Sequence, residues 1–247
     1  MAAILTFVLV APLGAMGALA VGERRGGWDR PGRSAVLGLV AACIGLERTQ
    51  EALHASLSSG LGLAIRREGG ATPLLSDYHT TQTTPTRKKR AFATRREELS
   101  AGERETMLSR RDYRADIAFA AALWLRPPPC PWTLEALAEA MTVPRFVPYL
   151  GRKCCPLGLP MRPCIIQAAT VREAFEQRDA AAAWPERDAL RRPGGGTVWA
   201  DAAGLDEPAL GLKKAYAETR RDQPLNRARW QFGLREEVAA HWPGDAA

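Results

Sequence analysis

The sequence predicts an α+β fold: short apolar strands alternate with helices, and a polar, cation-rich stretch is inserted among them. Three observations carry this. Short β-branched or apolar runs bounded by Gly and Pro recur at Ile4–Val10, Leu61–Arg66, Ala115–Leu125 and Cys164–Ala168. Segments with helical start and stop signals fall between them, at Ala35–Ile44, Gln50–Leu57 and after Thr133. Between Asp77 and Arg114 the composition turns to Thr, Arg, Lys and Glu with few apolar residues.

Each element follows from its residues. Ile4-Leu5-Thr6-Phe7-Val8-Leu9-Val10 is closed by Pro12 and Gly14 and reads as a buried first strand. Pro31 and Ser34 sit where a helix opens, Gly45 where it stops. Gly38, Ala41, Ala42 and Cys43 give this helix a small-residue face for close packing on a sheet. A second helix ends at Ser58-Ser59-Gly60, and Leu61-Gly62-Leu63-Ala64-Ile65-Arg66 alternates weakly as a strand. The stretch 77–114 has too little apolar content for a core, so it is expected to project or stay mobile. Ala115 to Leu125 returns as a strand and ends at Pro127-Pro128-Pro129. Thr133 caps an amphipathic helix with Leu134, Leu137, Ala138 and Met141 on one face. The order strand, helix, strand, insertion, strand, helix, strand is the split βαβ pattern of a ferredoxin-like or RRM-type domain. The domain reading is a palm over 1–170 interrupted at 77–114, with 171–247 a smaller β-rich extension that Trp199, Tyr216, Trp230 and Phe232 help to pack. Arg191-Arg192-Pro193-Gly194-Gly195-Gly196 is a turn and lacks the Gly-Lys-Ser/Thr of a phosphate loop.

Charge narrows the function. With 34 Lys+Arg against 27 Asp+Glu the formal net charge of the 247 residues is +7, which favours a polyanionic partner such as nucleic acid or an acidic membrane surface. The five cysteines, Cys43, Cys130, Cys154, Cys155 and Cys164, form no C-x-x-C pair, which argues for a reducing compartment, the cytoplasm, and against a zinc site. Ala18-Leu19-Ala20 looks like a leader cleavage site, but no Lys or Arg precedes the apolar run and Pro12-Leu13-Gly14 interrupts it, so export is not expected. No stretch reaches the about 20 apolar residues of a membrane-spanning helix. No basic amphipathic helix with a broad apolar face supports a membrane-surface reading either.

Two basic sets are candidate phosphate contacts. Arg87-Lys88-Lys89-Arg90 with Arg95 and Arg96 places six cations and no acid in the inserted stretch, with Phe92 among them to stack on a base. Arg24, Arg25, Arg30 and Arg33 precede the first helix, whose free N–H groups and dipole favour an anion. Histidines 54, 79 and 241 do not cluster. His79, in Asp77-Tyr78-His79-Thr80, therefore reads as an RNA-contacting or structural residue rather than a general base, and no catalytic residue, metal or cofactor is assigned.

Several stretches together resemble one family, the CasD-type subunit of the type I-E CRISPR Cascade complex. They are Ala11-Pro12-Leu13-Gly14, Arg30-Pro31-Gly32-Arg33-Ser34 running into Gly45-Leu46-Glu47-Arg48, and Asp77-Tyr78-His79-Thr80. Ser109-Arg110-Arg111-Asp112-Tyr113-Arg114, Tyr149-Leu150-Gly151-Arg152-Lys153-Cys154-Cys155-Pro156, Arg221-Asp222-Gln223-Pro224 and Arg229-Trp230-Gln231-Phe232 continue the match. The resemblance implies an RRM-like palm and a projecting thumb, with partners in the guide RNA's 5′ handle, the large and backbone subunits and, through the complex, target DNA. It implies palm contacts from Arg30, Arg33 and Ser34, with further RNA contacts at Arg152 and Lys153. Tyr78, His79 and Thr80 would lie at the thumb's base, and Arg87–Arg96, Arg110 and Arg111 on its cationic surface. The sequence departs from the family where Gly14-Ala15-Met16-Gly17 replaces its usual polar, serine and tryptophan positions, and where Trp230 interrupts a basic-Gln-Phe run. Cleavage of repeat RNA, as in a related CRISPR subtype, is the alternative function.

Overall fold

The computed structural model describes residues 1–17, 20, 22–85, 91–100, 102, 104–181, 196–202, 208–227 and 229–243. Ala18 and Leu19, the cations 87–90 and the turn at 191–195, on which expectations above rest, lie outside the described residues. Strand β1 (Ala2–Gly14) is followed by β2 (Arg24–Arg25), helices α1 (Arg33–Ile44) and α2 (Glu51–Ser59), and β3 (Leu61–Arg67). Then come β4 (Leu74–Thr83), α3 (Arg95–Ser100), β5 (Glu105–Leu125), α4 (Leu134–Thr142), β6 (Cys164–Ala168) and α5 (Val171–Ala180). Strands β7 (Thr197–Asp201), β8 (Lys214–Asn226) and β9 (Gln231–His241) complete the described chain. All the strands belong to one sheet of order β6-β1-β5-β3-β7-β9-β8, antiparallel along that path, with β4 (antiparallel) and β2 (parallel) joined to β5 away from it.

The sheet is covered on both faces, which is why its central strands read as continuous apolar runs. Leu5, Phe7 and Leu9 pack with α1 and α4 through Val36, Leu37, Val40, Leu134 and Leu137, while Ile4, Ala120, Ala122 and Trp124 meet α5 through Val171, Ala174 and Phe175. The alanines of β5 are strand residues because β1 and β3 flank them on both sides, in register from Leu5↔Leu123 and Leu63↔Leu123.

Two expectations change. The strand expected to begin at Ala115 begins at Glu105: β5 runs unbroken through the end of the 77–114 stretch, pairing Leu74–Thr83 of β4 before it enters the core. Thr-rich β4 is exposed along almost its whole length, so the ladder with β5, not a core, holds it. Where β5 passes from hairpin to core, Asp116 takes φ 53, a left-handed kink opposite the β1 proline Pro12. The second concerns α1. It begins at Arg33, and Gly45 (φ 79) closes it with its N–H on the Ala41 and Ala42 carbonyls. Its start is not open to an external anion: the Asp222 carboxylate, from β8, accepts the Arg33 backbone N–H at 2.7 Å.

Candidate nucleic-acid interface

The cations before α1 divide into two groups. Arg30 and Arg33 are 4% and 2% exposed, so the expectation that they present charge to a ligand is corrected. Arg30 donates to Glu237 at 2.7 and 3.0 Å and also pairs with Glu218 and Asp29. Arg33 pairs with Asp201 and donates to the Ser58 and Leu61 carbonyls at 2.6 Å each. Arg235 bridges Asp201, Asp222 and Glu237, and Arg220 meets Glu237 at 3.2 Å. Burial lowers the Arg33 and Arg220 guanidinium pKa values, with acids only partly offsetting it; for Arg235 the carboxylates win and the value rises. These charges are internal seams joining α1 to β7, β8 and β9, each guanidinium lying beside an acid that offsets its burial.

Arg24 and Arg25 lie on the surface. Two-residue β2 runs parallel to β5 and sets Arg24 beside Arg110 and Arg25 beside Arg111. On the other side of β5, Tyr78 faces Arg110 and Asp77 faces Arg111. Alternation therefore aligns Arg24, Arg110 and Tyr78 across three strands on one face of the hairpin. Arg24 approaches buried Asp112 at 3.5 Å, and Ser76 donates to the same carboxylate at 2.9 Å. His79 and Thr80 follow on exposed β4, and His79 has no hydrogen-bonding partner among the described residues. Arg95 is exposed and donates to Glu98 and the Gln82 carbonyl, which ties α3 to the hairpin; Arg96 is exposed, and Phe92 is half-buried.

The hairpin's foot meets a groove that the sequence reading did not identify. The loop after α4 places Arg152 over the Tyr113 ring at 4.6 Å, and the same loop sends Tyr149, Gly151 and Lys153 into the groove wall. Gly151 sits at φ 83 against the Ala15 carbonyl, an approach only glycine allows. The groove encloses about 1180 Å³. Its floor is the small-residue face of α1, including Ser34, Ala35 and Gly38; its walls are Phe146, Val147, Trp230 and Phe232, with Arg48, Arg221 and Arg227 around them. The sequence signal for it was present but scattered: glycines and alanines of α1 in one place, an Arg-Trp-Gln-Phe run near the C-terminus in another.

Thiol chemistry has little support here. Burial pushes the Cys43 and Cys155 thiols up to about 11, and no cluster of metal-binding side chains occurs among the described residues. No described helix is long and apolar enough to cross a membrane.

Together these features define a mixed α/β protein built on a large antiparallel sheet, with a cationic hairpin whose foot lies beside an aromatic groove. The chain belongs to the CRISPR-associated protein family (Cas_Cas5), whose profile matches residues 4–237. It is 29% identical over 214 residues to the "CRISPR system Cascade subunit CasD" of Escherichia coli (strain K12), covering 83% of this chain and 81% of that one. Among solved structures it is similar to a chain of a "CRISPR RNA-guided surveillance complex", at TM-score 0.62 and 20% identity over 97% of this chain and 90% of the other. A second, titled "Crystal structure of Cas protein", matches at TM-score 0.60 and 20% identity, over 97% and 95%.

Proposed function

We propose that this chain is a non-catalytic subunit of a type I-E CRISPR Cascade complex that holds the 5′ handle of the guide RNA and joins the large and backbone subunits. The observation that carries the reading is the exposed Arg24–Arg110–Tyr78 strip on one face of the hairpin, with Tyr113 on the other face meeting Arg152 beside the aromatic groove, in a chain of this family. Exposed cations aligned on a ladder track phosphates, and aromatic rings receive unstacked bases.

In this reading β1, β3, β5 and β6, in the order β6-β1-β5-β3, are the four strands of an RRM-like palm within 1–170. The β4–β5 hairpin is its thumb, and 171–247 is the extension continuing the sheet beyond β3. Phosphate contacts come from Arg24, Arg25, Arg96, Arg110, Arg111, Arg152 and Lys153, joined by Arg87–Arg90. Ser34, Tyr78, His79, Thr80 and Phe92 are neutral contacts, and Arg30 and Arg33 hold the scaffold. Catalysis is not assigned, since His79 has no orienting partner among the described residues for proton transfer.

The test is co-expression of the full chain with the other subunits of the complex. A short guide RNA and the partner subunits should purify with it, and the purified chain should leave repeat RNA uncut. Neutralising Arg24, Arg25, Arg110 and Arg111 should lower the slope of log affinity against log salt by up to about 2.8, at about 0.7 per phosphate contact. An unchanged slope with the variant folded would remove the hairpin from the interface, and cleavage of repeat RNA would favour the endoribonuclease alternative.

A further inference from the structure

The arginines Arg30, Arg33, Arg66, Arg220 and Arg235 each meet a carboxylate, and buried Arg178 is held by three oxygens of Thr6 and Arg162 instead. Arg227 has neither arrangement. Its guanidinium lies over Gly38, where an added Cβ would come within 3.4 Å of both terminal nitrogens, and one of those nitrogens donates to the Ser34 carbonyl at 2.8 Å. Its Nε is buried with no hydrogen-bonding partner, and no carboxylate pairs with it among the described residues. Burial pushes its pKa down and Arg48 pushes it further, with no acid opposing either effect. His54, whose Nε2 lies 3.1 Å from the Glu47 carbonyl, feels the same positive field and is also lowered, first by burial.

Arg48 is exposed and rests on the Trp230 ring at 4.4 Å. Trp230 is 56% exposed and held at φ 53, a conformation that a bulky residue rarely takes without a purpose. Asn226 stabilises this turn by accepting the Arg229 N–H at 2.7 Å. The turn thus presents, side by side, a half-buried cation without an acid and an exposed indole.

We propose that Arg227, Arg48 and Trp230 form a one-nucleotide subsite: the two guanidiniums take a backbone phosphate, and the indole stacks an unpaired base. The subsite rests on the guide-RNA reading and gives it a location on α1 and the β8–β9 turn, apart from the hairpin. A phosphate supplies the missing anion to Arg227 and draws Arg48 off the ring, which frees that face for the base. Single-stranded nucleic acid fits better than an acidic peptide, because Phe146, Tyr149 and Phe232 add further rings to the same groove. A double strand would keep its bases stacked away from them.

The experiment uses the full chain and a fluorescein-labelled short single-stranded RNA of mixed sequence, with binding measured by anisotropy at several salt concentrations. Arg48→Gln should lower the salt slope, and the double variant with Arg227→Gln should lower it by up to about 0.7, the share of the one phosphate they hold. Trp230→Ala should weaken binding by roughly 5- to 150-fold with little change in slope, and Trp230→Phe should restore most of it. Arg48 is exposed, so its variant tests the subsite without risk to folding. Arg229→Gln removes a charge from the same turn outside the groove wall and should change the slope less. If the parent binds and both Arg48→Gln and Trp230→Ala match it in slope and affinity, the subsite is wrong and the guide-RNA reading stands. If the parent binds no RNA, the reading fails and the subsite with it.

Discussion

Asp201→Ala is the most direct test of the internal charge seam. Asp201 is 7% exposed, pairs with Arg33, meets Arg126 at 3.2 Å and Arg235 at 3.1 Å, and accepts the Leu63 N–H at 3.1 Å. Removing it strands Arg33, 2% exposed, with only the Ser58 and Leu61 carbonyls. Breaking a buried pair by deleting one partner costs about 3–5 kcal/mol, because the remaining charge is left uncompensated. At about 2–4 °C per kcal/mol for a chain of this size, the expected fall in Tm is roughly 6–20 °C by calorimetry. Asp201→Asn keeps an acceptor for Leu63 and should fall less. Glu176→Ala, which removes a surface partner of Arg172 at 2.8 Å, should cost under about 1 kcal/mol. Should Asp201→Ala melt within about 2 °C of the parent, and no lower than Glu176→Ala, the seam does not hold the C-terminal strands and the argument fails.

The seam should also give the protein an acid limit. Burial raises the Asp222 pKa, but the Arg235 hydrogen bond and the charges of Arg235 and Arg220 outweigh it, and the net value is lowered. A depressed carboxylate contributes stability that is complete above its unfolded pKa of about 4 and is lost as pH falls through the folded value. Tm should therefore hold between about pH 7 and 5 and drop below about 4, with a shallower acid drop in Asp222→Asn; parallel curves would contradict the assignment. Gly151→Ala should destabilise the groove wall and weaken RNA binding, since its methyl would overlap the Ala15 carbonyl at a backbone φ of 83. Binding and Tm equal to the parent would show that the loop relaxes freely.

The strands and helices of the first two-thirds were legible because each carries its signal locally: apolar runs, a Gly stop at 45, a Thr cap at 133 that accepts the Ala136 N–H. The polar half of β5 was not, since a strand held by its ladder alone shows no apolar period. Arg30 and Arg33 were misplaced for a different reason. In the sequence they stand among Arg24 and Arg25, whereas the acids that bury them come from positions 201 and 237, which only the fold brings near. Arg24, Arg25, Arg110 and Arg111 were recognisable as cations, but their alignment depends on the parallel pairing of a two-residue strand. The groove needed three remote segments at once, so its residues could be seen one by one and not as a site.

One hairpin builds both the seam and the groove. In β8 the register shifts between Arg220 and Gln223 and again between Pro224 and Asn226. Before the first shift Arg220 is buried beside Glu237, within it Asp222 is turned onto the start of α1, and after the second Arg227 reaches the Ser34 carbonyl one residue further along that helix. Bulges re-aim side chains in this way, and an unbroken ladder would have sent alternate residues to opposite faces at a fixed period. The first turn of α1 is thus gripped by an acid that satisfies it and, immediately beyond, by an arginine with no acidic partner among the described residues. Along this short reach the charges pass from the paired seam to the arginine proposed as an RNA contact.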